Sequence, residues 1–273
     1  LRLVDTFFGL LLLVFCLTGQ ARAEAVLFIY PTLVIFENGV RSAEVTIANR
    51  GDETGTFETS WSDLIMTEDG RLARTEGDNP WSIRPHVRYS PRRVTLAPAE
   101  TQVVKIALRA LSDVPEGEYY SHLRVLTINS EDPEAVEEET EKEEPSAGIV
   151  INARTAIAIP VVWRNSLLEP RAGIEEVTLN HESREISVAV RREGLLSVRG
   201  FVHVVDPSNG EFRALAEPAP LVIYPSVETR TVTTMLGEGL DAMDIPENAL
   251  VLYSPDLELS ETSPLIASHP LAR

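Results

Sequence analysis

The chain predicts an all-β protein built as two β-sandwiches, and three observations lead there. Short segments of alternating apolar residues, bounded by Gly, Pro, Asn and Asp, recur roughly every 8–15 residues through both halves. No long segment repeats with the 3.6-residue period of a helix. Residues 24–273 suffice for two domains of about 100–130 residues each.

At the N-terminus, Phe7 to Leu17 is an almost unbroken apolar run, and Ala21-Arg22-Ala23 has the small-x-small form of a cleavage site. The run is short for a membrane span, so residues 1–23 read as a secretory signal peptide; an uncleaved anchor is the other reading. Arg2 is a weak positive flank, and Asp5 sits against type. Cys16, the one cysteine, lies inside the run. Cleavage after Ala23 leaves no thiol for a disulfide, a metal or a nucleophile.

The strands of the first half, residues 24–165, follow from local pattern. Val26 to Phe36 is extended and broken by Pro31, which demotes it to an edge strand or one that changes sheets. Ala43, Val45 and Ile47 alternate with polar residues, and Phe57 to Met66 carries Trp61. Val94 and Leu96 lead into a turn at Pro98-Ala99-Glu100. Val104, Ile106 and Leu108 then alternate with Lys105 and Arg109, the period of a strand with one buried face. Asp113-Val114-Pro115-Glu116-Gly117 is turn chemistry, and Glu118 to Ile128 is again a strand.

Glu131 to Glu144 holds nine acidic residues in fourteen, so 131–145 reads as an acidic loop too polar to bury. Calcium binding is the sharper alternative, but the Asp-x-Asp-x-Asp-Gly spacing is missing. Gly148 to Trp163 reads as a long strand. Ile149, Ile151, Ala153 and Thr155 share a face with Ile157 and Ile159, while Val150, Asn152 and Arg154 take the other. Periodicity alone leaves open whether this is an ordinary core strand or a pairing strand. Leu167 to Gly173, with Pro170, reads as a linker within the second half, residues 166–273. There Glu185–Val190, Phe201–Val205, Leu221–Tyr224, Arg230–Leu236 and Ala249–Tyr253 read as strands. Residues 254–273 have no evident place.

A formal net charge of −18 argues against nucleic acid as a partner. None of the histidines (His86, His122, His181, His203, His269) has ligand spacing to another, and His122 reads as solvated. No nucleophile elbow, phosphate loop or zinc motif is present, and Glu238, Asp241 and Asp244 read as a polar loop. No enzyme, cofactor or metal is implied. A sugar-binding sandwich needs an exposed aromatic platform, for which Trp81 beside Pro80 is the one candidate.

The stretch from Tyr89 to Val125, with Asn49 and Trp61, resembles the first domain of the periplasmic chaperones that assemble pili on Gram-negative bacteria. The resemblance covers the first half well and the second more weakly. It implies two immunoglobulin-like sandwiches at an angle, a periplasmic location and no catalysis. It implies strand donation: Ile149, Ile151, Ala153 and Thr155 would pair with an incomplete pilin-like secreted subunit, which is then passed to an outer-membrane usher. Arg164 matches an Arg at the interdomain bend and is expected in an interdomain salt bridge. Family members hold the subunit's carboxylate with two basic residues; Leu33 and Pro160 stand at the aligned positions, so both anchors are missing. Arg154 and Arg164, with Arg41, are the basic candidates nearby. The alternative is an accessory or structural protein of a surface assembly that keeps the fold without strand donation.

Overall fold

The computed structural model describes residues 25–75, 78–109, 113–128, 155–208 and 212–271. Its regular structure is β-strand apart from two single-turn 3-10 helices, Arg84–His86 and Ala242–Asp244. The first eleven strands are β1 (Leu27–Tyr30), β2 (Val34–Phe36), β3 (Ser42–Asn49), β4 (Gly55–Ser62), β5 (Leu64–Met66), β6 (Leu72–Arg74), β7 (Val87–Ser90), β8 (Arg93–Leu96), β9 (Thr101–Leu108), β10 (Gly117–Ile128) and β11 (Ala156–Asn165). One sheet has the order β1-β3-β9-β7 and faces a second ordered β2-β11-β10-β4-β8. This is the immunoglobulin arrangement, with first, second, fifth and fourth strands opposite third, sixth and seventh. Two strand positions change sheets, β1 to β2 across Pro31 and β7 to β8 across Pro91. At both, proline removes a ladder donor where pairing must break.

Between these sheets Phe36, Val45, Ile47, Phe57, Val104, Ile106, Leu123, Val125, Ile159 and Val161 are buried. Each sits at alternate positions of its strand, as predicted for Val45, Ile47, Val104 and Ile106. Trp61 packs at the margin of this core, edge-to-face on Tyr89 with centroids 5.5 Å apart.

Asn49 is fully buried and fastens one end of the sandwich. Its Oδ1 accepts the amides of Val26 (3.2 Å) and Gly51 (3.0 Å). Its Nδ2 donates to the carbonyls of Glu53 (2.6 Å) and Leu96 (3.0 Å). All the amide's capacity is therefore used.

The second half contains β12 (Arg171–Asn180), β13 (Glu185–Glu193), β14 (Val198–Asp206), β15 (Arg213–Ala214), β16 (Ala219–Ile223), β17 (Thr229–Met235), β18 (Leu250–Ser254) and β19 (Ala267–Pro270). A sheet ordered β12-β13-β17 packs on one ordered β15-β14-β18-β19, with β16 on β14. Two differences from the sequence reading appear here. β12 begins inside the expected linker, at Arg171, and its weakly alternating residues gave no strand signal. The C-terminal stretch is not outside the fold, because β19 pairs with β18 from Tyr253↔Ala267 to Leu250↔Pro270.

The two sandwiches share a core. Met66, Tyr120 and Val162 of the first lie buried in one cluster with Val188, Val198, Tyr224 and Val227 of the second. Tyr120 stacks on Tyr224 at 4.6 Å. Ser226 Oγ donates to the Met66 carbonyl (3.1 Å) and accepts the Met66 amide (3.2 Å). At the tip of the β5–β6 hairpin Gly70 has φ +81, and a Cβ there would lie 2.1 Å from the Arg230 guanidinium. The positive φ favours glycine, and without a Cβ the hairpin tip lies directly against the Arg230 side chain.

Replacing Asn49 by Asp keeps the shape but turns two donors into acceptors facing carbonyl oxygens. Each orphaned group costs about 1–3 kcal/mol. Asn49→Asp is therefore expected to lower the urea midpoint near neutral pH with an unchanged slope, and an unaltered midpoint would contradict the role assigned to this amide.

Candidate strand-pairing edge and interdomain joint

β11 pairs antiparallel with β10 along its whole described length, from Leu126↔Ala156 to Gly117↔Asn165. On its other side β2 runs parallel to it only at Val161, Val162 and Trp163. Among the described residues, no strand lies along Ala156–Pro160 on that side.

Hydrogen bonding shows which groups face this open edge. The Thr127 amide donates to the Thr155 carbonyl (3.0 Å), so the opposed pair Thr127/Thr155 is a bonded one. The Tyr120 amide instead donates away from β11, to Trp81 (2.6 Å). Pairs alternate in an antiparallel ladder, so the odd residues of β11 bond to β10. Ala156, Ala158 and Pro160 turn their backbone groups outward. The missing N–H of Pro160 therefore costs the β10 ladder nothing, and it ends the run of outward donors at Ala158. Pro160 therefore sits at an outward-facing position of the ladder, opposite His122.

The side chains divide as sharply. Ile159 is buried in the first sandwich and Ile157 packs against the same core, while Ala156 and Ala158 are exposed on the opposite face. Thr155 is exposed at the strand's start. Ile149, Ile151, Ala153 and Arg154 lie outside the described residues.

Arg164, at the other end of β11, is largely buried and binds Glu37 at 3.0 Å and Glu118 at 3.3 Å. Both partners belong to the first sandwich, which differs from the expected interdomain salt bridge. The step between domains is made by Glu118 instead. Its Oε2 accepts the Ser197 amide (3.1 Å) and hydroxyl (2.9 Å) from the second sandwich. Arg164 thus neutralises a buried carboxylate that serves as the interdomain acceptor. Leu33, which stands at one aligned anchor position, packs against the shared core.

Sequence reasoning missed the centre of this joint. His122, read as solvated, is 2 % exposed. It lies opposite Pro160 on β11 and Ser62 on β4. Its ring is 6.5 Å from that of Tyr224, and neither nitrogen has a hydrogen-bond partner. Strand alternation did carry the signal, because His122 shares a face with Tyr120. Nearby, Asp63 collects the hydroxyls of Ser82 (3.0 Å) and Ser121 and the Arg84 guanidinium (3.2 Å). Among the described residues, no three His, Cys, Asp or Glu side chains are placed to hold a metal. No helix there is long and apolar enough to cross a membrane.

Burial pushes His122 down to about 4, with Asp63 opposing and Arg199 reinforcing the shift. The unfolded chain takes up this proton near the ordinary value of 6.5, so the neutral ring stabilises the fold fully only above that pH. Stability should fall by up to roughly 3 kcal/mol between there and pH 4. Urea titrations at stepped pH should show this slope in the wild type and a shallower one in His122→Phe. Parallel pH profiles would remove His122 from the account.

No family model matches the chain, and no curated protein does. The chain is similar in fold to several solved chaperones at low identity. One is in the CsuC–CsuE chaperone–tip adhesion subunit pre-assembly complex of Acinetobacter baumannii: 11% identity, 89% of this chain and 97% of that one, TM-score 0.47. Another is the E. coli chaperone DraB: 9% identity, 88% and 95%, TM-score 0.46. A third is in the complex of the Salmonella enterica SafA pilin with the SafB chaperone: 11% identity, 86% and 91%, TM-score 0.44.

Proposed function

We propose that the chain is a periplasmic chaperone for pilin-like secreted subunits and works by lending them a β-strand. The observation that carries this is the open edge of β11 at Ala156–Pro160, held by β10 on one side and, among the described residues, unpaired on the other. An incomplete subunit with an exposed sheet edge would find there the outward amides of Ala156 and Ala158 and the outward carbonyls up to Pro160. Main-chain bonds would supply affinity, and alternate side chains would fill the subunit's groove. Ile149, Ile151 and Ala153, which precede β11 in the sequence, would supply the side chains for those pockets. Covering the subunit's edge would block its aggregation. Delivery to an outer-membrane usher belongs to the same reading, as does export by the signal peptide of residues 1–23.

Two observations favour a second reading, an accessory protein of a surface assembly without strand donation. Leu33 and Pro160 stand where the family has basic anchors, and Ile157 and Ile159 serve the chain's own core. In the first reading the Pro160 stop fixes register without a carboxylate anchor, since no donor beyond Ala158 faces the edge until β2 begins.

Ala158→Pro separates the two. The residue's N–H faces the open edge, so its loss spares the β10 ladder. Affinity purification from periplasm should recover a small secreted subunit with the wild type. It should recover much less with Ala158→Pro and with Ile151→Asp, while thermal unfolding of Ala158→Pro stays close to wild type. Equal recovery by both variants, or no subunit with any form, would favour the accessory reading.

A further inference from the structure

A second surface on the first sandwich is unrelated to β11. From Ser82 to Ala99 the chain carries four arginines and no acidic residue, although its net charge is −18. Three of them, Arg84, Arg88 and Arg92, line a surface groove of about 1040 Å³, where they outnumber its two carboxylates, Asp63 and Asp78. Its floor includes the half-buried, edge-to-face rings of Trp61 and Tyr89. Arg92 lies over the Tyr89 ring at 5.7 Å. Arg84 is engaged by Asp63, whereas Arg88 is exposed and has no ion-pair partner among the described residues.

The groove also contains a strand edge. β8 pairs with β4 only over Gly55–Glu58, and the ladder closes with the Thr59 amide donating to the Arg92 carbonyl (2.7 Å). Two residues further along, Trp61 turns its N–H and C=O to the same side, where no strand of the described residues runs beside it. Main-chain donor and acceptor, an aromatic floor and fixed cations thus converge on one channel.

We propose that this groove binds an extended acidic segment of a partner polypeptide. A chain lying along β4 would satisfy the free backbone groups of Trp61. Its carboxylates would meet Arg88 and Arg92, and its apolar side chains would rest on Trp61 and Tyr89. Charge selects the partner locally: the net charge of −18 repels an acidic segment from the rest of the surface, whereas the groove's arginines attract it and hold it in one register. A basic or neutral segment gains nothing from these arginines. The proposal does not depend on strand donation by β11.

Fluorescence anisotropy with the full chain tests it. The probe is a fluorescein-labelled peptide of alternating Glu and Val, with a Lys–Val peptide as control. The acidic peptide should bind, weaken as salt rises, and bind about tenfold less tightly to Arg88→Glu/Arg92→Glu. Both side chains are exposed, so that variant should unfold at the wild-type temperature. No binding, or equal binding by the variant, overturns the proposal. Binding that appears only after deletion of residues 131–144 would show the groove filled by the chain's own acidic run, and so overturn an external partner. Displacement by heparin at lower concentrations than by unlabelled acidic peptide would assign the groove to an anionic polysaccharide, with the same consequence.

Discussion

The pairing of β10 with β11 is the constraint on which the rest of the molecule depends. β10 is hydrogen-bonded on both flanks, to β11 and β4, so its side chains have fixed directions. Its odd residues, such as Leu123 and Val125, close the first core. On its even face, Tyr120 enters the core shared with the second sandwich and His122 lies against the same joint. The same ladder dictates that even residues of β11 present their backbone outward. One register therefore sets the core, the joint and the open edge together, and a one-residue slip would exchange all three.

The joint combines two kinds of contact. Stacked and packed groups, Tyr120 on Tyr224 and the β5–β6 hairpin on Arg230, supply area without strong direction. Glu118 adds direction: it is fully buried, held by Arg164, and accepts two hydrogen bonds from Ser197. An isolated buried carboxylate is costly, so Arg164 and Ser197 work as a unit with it, fixing how β11's end meets the second sandwich. That places the open edge of β11 beside a braced joint.

Much of the fold was legible because its signals are local. Alternation at Val45/Ile47 and Val104/Ile106 placed β3 and β9, and Pro31 announced a change of sheet. What failed was non-local. β12 is exposed on much of both faces, so its pattern was blurred, and β19 is a short edge strand that exists only because β18 is there to pair with it. In sequence, His122 shares a strand face with the charged Arg124, which is a surface pattern. Its burial comes from the second sandwich closing over the face. Arg164 was found by position, but its partners Glu37 and Glu118 lie far from it in sequence. The open edge itself is a property of where β2 begins beside β11, which no periodicity reveals.

Amide hydrogen exchange along β11 tests the central claim most directly. In the free protein the amides of Ala156 and Ala158 should exchange quickly while those of Ile157 and Ile159 are protected by β10. In a complex with a co-purified secreted subunit all four should be slow. Protection of Ala156 and Ala158 already in the free protein, or their continued fast exchange in the complex, would contradict an open edge that lends its backbone to a partner.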